Sequence, residues 1–243
     1  TLPIDLVMAR GRVLAEGGKL TADIPAYRYP ATARDTVKVQ RKLKPSDFDI
    51  AAPSGANHVT ARVIGVIENQ APTRALERRL AVRDGLVEMA ADVAQVALVE
   101  RHRATGTVTN GFVSGFGYNV PCAVASTVAH DSHHMIVVGT DKASMALAAN
   151  TLIEAHGGVA VVRGQEVMAL IELPIAGLMS EERAERVAVK TAKMVEAMRS
   201  CGCRLNTAFM QHSLLALVVI PELRISDAGL IDTVRFKKTS LFI

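Results

Sequence analysis

Apolar residues fall along the chain in short blocks separated by glycine, proline and polar turns. Leu6 to Leu14 (LVMARGRVL) reads as a strand, Glu16-Gly17-Gly18-Lys19 as a turn, and Leu20 to Ile24 as a segment that pairs back in a hairpin. From Pro25 to Pro45 the pattern is punctuated by proline and has no sustained period. We read that stretch as a connector and place a boundary near residue 45. Beyond it, Val59 to Ile67 alternates, and Val93 to Val99 is an apolar run compatible with either element. Cys122 to Ala129 and Met135 to Thr140 are strand-like runs of β-branched and small residues. Asp141 is positioned to cap a helix over Lys142 to Ala155, stopped by Gly157-Gly158. Val159 to Val162 and Val167 to Leu173 flank the turn Arg163-Gly164-Gln165. Ser180, followed by Glu181 and Glu182, reads as the N-cap of a helix with a Val187, Met194, Val195, Met198 stripe, ending around Ser200 to Gly202. The fold class these elements predict is α+β, with mixed or antiparallel sheets and packed helices.

Composition narrows the picture. Of 243 residues, 49% are hydrophobic and 21% charged, so a core can form although aromatics are only 4% and tryptophan is absent. The apolar run Leu214 to Ile220 is far short of the ~20 residues a membrane helix needs. No charged-then-apolar leader opens the chain, and we expect a cytoplasmic protein with no membrane partner. The net charge of +4 raises the question of nucleic acid. The basic cluster Lys38, Arg41, Lys42 and Lys44 has no aromatic stacking partners, however, so a solvated face and no nucleic-acid partner are expected. Cys122, Cys201 and Cys203 form no disulfide framework and suit a reducing compartment as buried or incidental thiols.

Chemistry concentrates in His130-Asp131-Ser132-His133-His134, between two apolar strand-like segments. These side chains bind metals or move protons near neutral pH. One reading is an imitation of the zinc-protease pattern H-E-x-x-H, but that needs a helix, which the β-branched neighbours disfavour. A second is structural, with the histidines satisfied by hydrogen bonds and Asp131 closing a turn. In the third, the cluster faces an active site and supplies hydrogen bonds, proton transfer or support to a metal-bound hydroxide. Pleating would divide the five residues between two faces, whereas a turn would let them converge. Gly111 to Gly117 (GFVSGFG) matches no nucleotide fingerprint and reads as a turn or lid. Glu100-Arg101-His102-Arg103 ends a strand, with solvent or an interface as its explanation. The deaminase signature H-x-E with P-C-x-x-C is absent, since Pro121-Cys122 has no second cysteine in place.

Several segments, in order, resemble the bacterial adenine deaminases of the amidohydrolase superfamily. They are ARVIGVI (61 to 67), VERHRATG (99 to 106), ASTVAHDSHHMIVVGT (125 to 140), PIAGLMS (174 to 180) and IPELRISDAGL (220 to 230). The resemblance runs from about residue 47 to the end. His134 stands where asparagine is expected, and Gln211 and His212 are also atypical. The superfamily's H-x-H motif occurs nowhere in the chain, and residues 1 to about 24 resemble the end of its β-sandwich. The resemblance therefore implies residues 1–45 as β-sandwich remnant plus connector and 46–243 as the C-terminal α+β domain. It implies hydrolysis of adenine to hypoxanthine and ammonia in purine salvage. A divalent, dinuclear manganese or iron centre would be held by a barrel outside these residues, with homo-oligomerisation, in the form of a dimer, expected. From this chain it implies His130, Asp131 and His133 as groups near the barrel mouth, with Ser132 and His134 as weaker candidates. A non-catalytic scaffold or dimerisation domain is the alternative. A self-contained metallohydrolase using His130, His133 and His134 ranks last.

Overall fold

The computed structural model describes residues 4–23, 25 and 27–243, which divide into two compact units, Thr1–Pro30 and Ala31–Ile243. In the first unit, β1 (Leu6–Ala9), β2 (Arg12–Glu16) and β3 (Lys19–Leu20) form an antiparallel ribbon. The single strand expected over Leu6 to Leu14 is thus two. Arg10 and Gly11 both take positive φ, 50° and 74°, and reverse the chain between them. The expected pairing of Leu20 is present, opposite Ala15, while the Ile24 end of that segment lies outside the described residues.

The second unit opens with single 3₁₀ turns at Ala31–Ala33 and Pro45–Phe48. It continues through β4 (His58–Val66), β5 (Thr73–Arg83), β6 (Leu86–Val87), β7 (Val93–Val99), β8 (Val108–Ser114), β9 (Cys122–Ser126) and β10 (Met135–Gly139). After α1 (Lys142–Glu154) come β11 (Gly158–Arg163), β12 (Glu166–Glu172), α2 (Ala184–Ser200) and α3 (Ala208–Leu214), then β13 (Leu223–Ser226), β14 (Gly229–Asp232) and β15 (Lys237–Thr239). A nine-stranded sheet runs β12-β11-β9-β10-β7-β8-β4-β5-β6, antiparallel except for the parallel pair β4–β8, and β13 to β15 form a small antiparallel sheet. This is the expected α+β class with a mixed sheet.

The middle of the sheet is buried on both faces, which is why β7, β9 and β10 are apolar nearly throughout, with Gln95 and Ser126 the buried polar exceptions. Side chains still alternate. Val96, Leu98, Val124, Ile136, Val138, Val159 and Val161 enter one core with Met194 and Met198 of α2 and Leu223 and Ile225 of β13. Ala97, Val99, Ala123, Ala125, Met135, Val137, Ala160 and Val162 enter the other with Met145, Ala148, Ala149 and Leu152 of α1, together with Val37, Leu43 and Phe48. Small residues dominate the α1 face, so the helix sits close to the strands. Asp141 caps α1 as the pattern predicted, accepting the Ser144 N–H at 2.8 Å.

Several expectations are corrected. Gly111 to Ser114 are not a turn or lid but the buried end of β8, and only Gly115 to Gly117 turn. Ser180 does not cap α2, whose N-cap is Arg183. The Ser180 hydroxyl instead accepts the Glu182 N–H at 3.1 Å, and Glu181 and Glu182 are drawn off to Arg34 and Lys190. The charged strand β5 and the small helix α3 carry no apolar stripe clear enough to have been read from the sequence. Lys38, Arg41, Lys42 and Lys44 are all exposed, with Arg41 paired to Asp47 and Lys42 to Glu154. All three cysteines are free and buried. No described helix is long and apolar enough to cross a membrane.

Candidate functional site

The five polar residues lie in the loop that joins the adjacent strands β9 and β10, residues 127 to 134, which is a turn without helix. The zinc-protease reading therefore falls, since its two histidines need a common helical face. Sequence position explains what surrounds the loop. Because β7 and β10 are antiparallel with Val99 opposite Met135, the residues just after β7 stand beside those just before β10. Glu100, Arg101 and His102 are thereby delivered to the loop.

The loop is held from end to end through its main chain and the Thr127 hydroxyl. At its start, the Thr127 hydroxyl donates to the Gly177 carbonyl at 2.6 Å and accepts the Gly158 N–H at 2.8 Å. In its middle, the His130 N–H donates to the Ser213 carbonyl at 3.0 Å and the His133 N–H to the Ala129 carbonyl at 2.7 Å. At its end, Arg101 Nε donates to the His133 carbonyl at 2.5 Å, and His102 Nε2 lies 2.7 Å from the Ser132 carbonyl. Since a carbonyl can only accept, His102 carries its proton on Nε2.

The side chains, in contrast, are not spent on the fold. Among the described residues, His130, Asp131, Ser132 and His133 make no side-chain hydrogen bond, and the buried Nδ1 atoms of His133 and His134 have no partner. This weighs against the structural reading, in which the histidines were to be satisfied by hydrogen bonds. The His130 and His133 rings pack edge to face, 5.2 Å apart. Asp131 and Ser132 are exposed, His130 and His133 half-buried. Burial pushes the His133 imidazole below its ordinary range, and His130 and the Arg101 guanidinium push the same way against Asp131. His133 is therefore a neutral imidazole at neutral pH, able to accept a proton or pass one on.

The other side of the loop opens a polar cleft of about 480 Å³ lined by Glu100, His102, Thr105, Ser132, His134 and Asp227, among others. His134, a weaker candidate from the sequence, is the most buried of the five at 7% exposure. Its ring lies 4.8 Å from that of His102, and its Nε2 is 3.8 Å from the Asp227 carboxylate. Burial, then His102, holds it below its ordinary range, with Asp227 pulling the other way. Glu100 shapes the rim. Desolvation opposes its charge, but the N–H groups of Thr105, Arg103 and His102 outweigh that and lower its carboxyl to about 2.

The loop thus brings His130 and His133 together, leaves Asp131 exposed beside them, and sends His134 and Ser132 to the cleft. Arg101 and His102 were missed as site residues because Glu100-Arg101-His102-Arg103 was assigned to solvent or an interface. Arg101 is in fact 1% exposed. The available signal was an arginine two residues beyond a long, mostly apolar strand. Among the described residues, no group of three or more His, Cys, Asp and Glu is arranged to hold a metal ion, which leaves the self-contained metallohydrolase without a ligand set.

Comparison with known proteins adds a second line. The family model for the adenine deaminase C-terminal domain matches residues 70–237. The chain is 66% identical over its whole length to adenine deaminase 3 of Rhizobium meliloti, of which it covers 41%. It is 65% identical to an adenine deaminase of Mesorhizobium japonicum, of which it covers 40%. Over 98% of its length it is 48% identical to an adenine deaminase of Moorella thermoacetica, again covering 40%. The chain spans about two fifths of the length of these relatives.

Proposed function

Because the chain belongs to the family of adenine deaminase C-terminal domains, we propose that it completes an enzyme that hydrolyses adenine to hypoxanthine and ammonia in purine salvage. Its share of the work is to present the His130, Asp131 and His133 side chains to the reacting centre. The observation that carries this is the division of labour in the loop: it is fixed through its main chain and Thr127, and the side chains of His130, Asp131 and His133 make no hydrogen bond among the described residues. Taking up the proton of the attacking water and passing it on to the departing amine requires an unprotonated base near pH 7, and His133, held neutral by burial, meets that condition. Asp131 is positioned to accept a hydrogen bond from a donor on substrate, and His130 to orient His133 through ring contact.

We place residues 1–45 with the preceding part of the enzyme and 46–243 in the C-terminal domain. The divalent metal, proposed as dinuclear manganese or iron, belongs to a barrel segment of the same polypeptide. The described residues of this chain offer it no ligand set. A cytoplasmic dimer is the form in which we expect the enzyme to work.

The test uses the full-length enzyme with His130→Ala, Asp131→Asn and His133→Ala. We expect kcat/KM for adenine to fall about 10²-fold or more with His133→Ala, while bound metal per subunit stays at the wild-type value. Wild-type kinetics in all three variants would remove the loop from the site. If subunit assembly were lost at the same time, the domain would be a scaffold.

A further inference from the structure

Arg101 is among the most deeply buried large side chains of the protein, yet among the described residues it faces no carboxylate. The one next to it in sequence, Glu100, is already saturated by three N–H groups and the Thr105 hydroxyl. Among the described residues, every partner of the guanidinium is a main-chain carbonyl. Nε donates to His133 at 2.5 Å, Nη2 to Ala176 at 3.2 Å and Nη1 to Thr36 at 3.3 Å. These come from three chain segments far apart in sequence. Gly177 is shaped to admit it: a Cβ there would lie 2.8 Å from Nη1, and its φ of +70° is a conformation glycine adopts freely. Thr127, at the other end of the loop, donates to the Gly177 carbonyl. Both ends of the 127–134 loop are therefore tied to one short segment, residues 176 and 177, and Arg101 makes one of the two ties.

We propose that Arg101 is a positioning residue: it fixes the His133 carbonyl, and through it the place of the His130–His133 pair. This rests on the reading that His133 works in the reaction. A rigid fork of donors suits the task, because one planar group reaches three carbonyls at once, which a lysine's point charge does not fix in direction. The same charge acts on His133 electrostatically. The charged and titratable groups that face this imidazole are His130 and Asp131 from its own loop and Arg101 and His102 from the end of β7. Of these, Arg101 is the permanent cation, and it opposes protonation of His133.

The experiment is steady-state kinetics across pH on the full-length enzyme carrying Arg101→Met, Arg101→Lys or His133→Ala. We expect folded Arg101→Met to lose about 10²-fold in kcat with little change in KM, since a displacement of about 1 Å costs that much. The acid limb of its kcat/KM profile should move to higher pH, because His133 then protonates more readily. Arg101→Lys keeps the charge but not the fork. It should keep the acid limb of the wild type while kcat falls, and it decides the matter alone if the methionine variant does not fold. Wild-type kcat in folded Arg101→Lys, or in folded Arg101→Met with an unmoved acid limb, overturns the proposal. If His133→Ala itself turns over adenine like the wild type, the failure belongs to the earlier reading of the loop and not to Arg101.

Discussion

Two arginines, Arg101 and Arg224, are each 1% exposed and each surrounded by main-chain carbonyls. Arg224 donates to the carbonyls of Ile220, Leu214, Ala71 and Pro221 and staples β13 to the turns around it. Burial lowers both guanidinium groups to about 10, so both stay charged at neutral pH. What differs is the neighbourhood. None of the acceptors of Arg224 belongs to a titratable residue, whereas Arg101 holds the carbonyl of a histidine with an unpartnered ring nitrogen. The same chemistry serves architecture in one place and a reactive loop in the other. Burial alone does not tell them apart; the partners do.

Substitutions can separate the two roles. The largest effect is expected for Arg224→Met, which removes four hydrogen bonds of a buried guanidinium, the one to Ala71 without a replacement donor, and should cost about 3–5 kcal/mol of stability by urea titration. The kinetics of the folded full-length enzyme should be unchanged. Gly177→Ala forces a left-handed alanine against the Arg101 guanidinium and should cost about 1–3 kcal/mol. Unlike the first, it should also depress kcat. Glu100→Gln weakens the turn beside Arg101 and should cost about 1–2 kcal/mol at pH 7. Because the Glu100 carboxyl is lowered from 4.5 to about 2, its ionised form stabilises the fold above pH 4.5. That stability drains as pH falls toward 2, so the variant's urea midpoint should vary less with pH across this window than the wild type's. Asp141→Ala removes the cap of α1, remote from both arginines, and should cost about 1 kcal/mol with no kinetic change. A kinetic effect there would show that any destabilisation reaches the loop, and the comparison would lose its force.

Much of the scaffold was legible because its signals are local. The strands at Val59, Met135 and Val159 and the cap at Asp141 are set by adjacent residues. The ambiguous run Val93 to Val99 resolves as a strand only because it lies in the middle of the sheet, where both faces are covered. Ser180 misled because two acidic residues after a serine resemble a capping box. Here Glu181 and Glu182 answer to Arg34 and Lys190, which sequence proximity does not reveal. The reactive loop was legible as a cluster of residue types. Its division into a His130–His133 side and a His134 side was not, because that depends on His102 and Asp227 arriving from other strands. Arg101 escaped for a related reason: an arginine between a glutamate and a histidine reads as surface until the strand before it is known to be interior.

Because the 127–134 loop is kept in shape through its main chain and Thr127, and not through its own imidazoles and carboxylate, its chemistry is interchangeable in a way its backbone is not. A position such as His134, where the resemblance leads one to expect asparagine, can be traded without rebuilding the turn. The segment therefore behaves as a socket into which evolution, or an engineer, can fit other reactive groups. The conserved investment would lie instead in threonine, glycine and arginine residues that never touch a substrate.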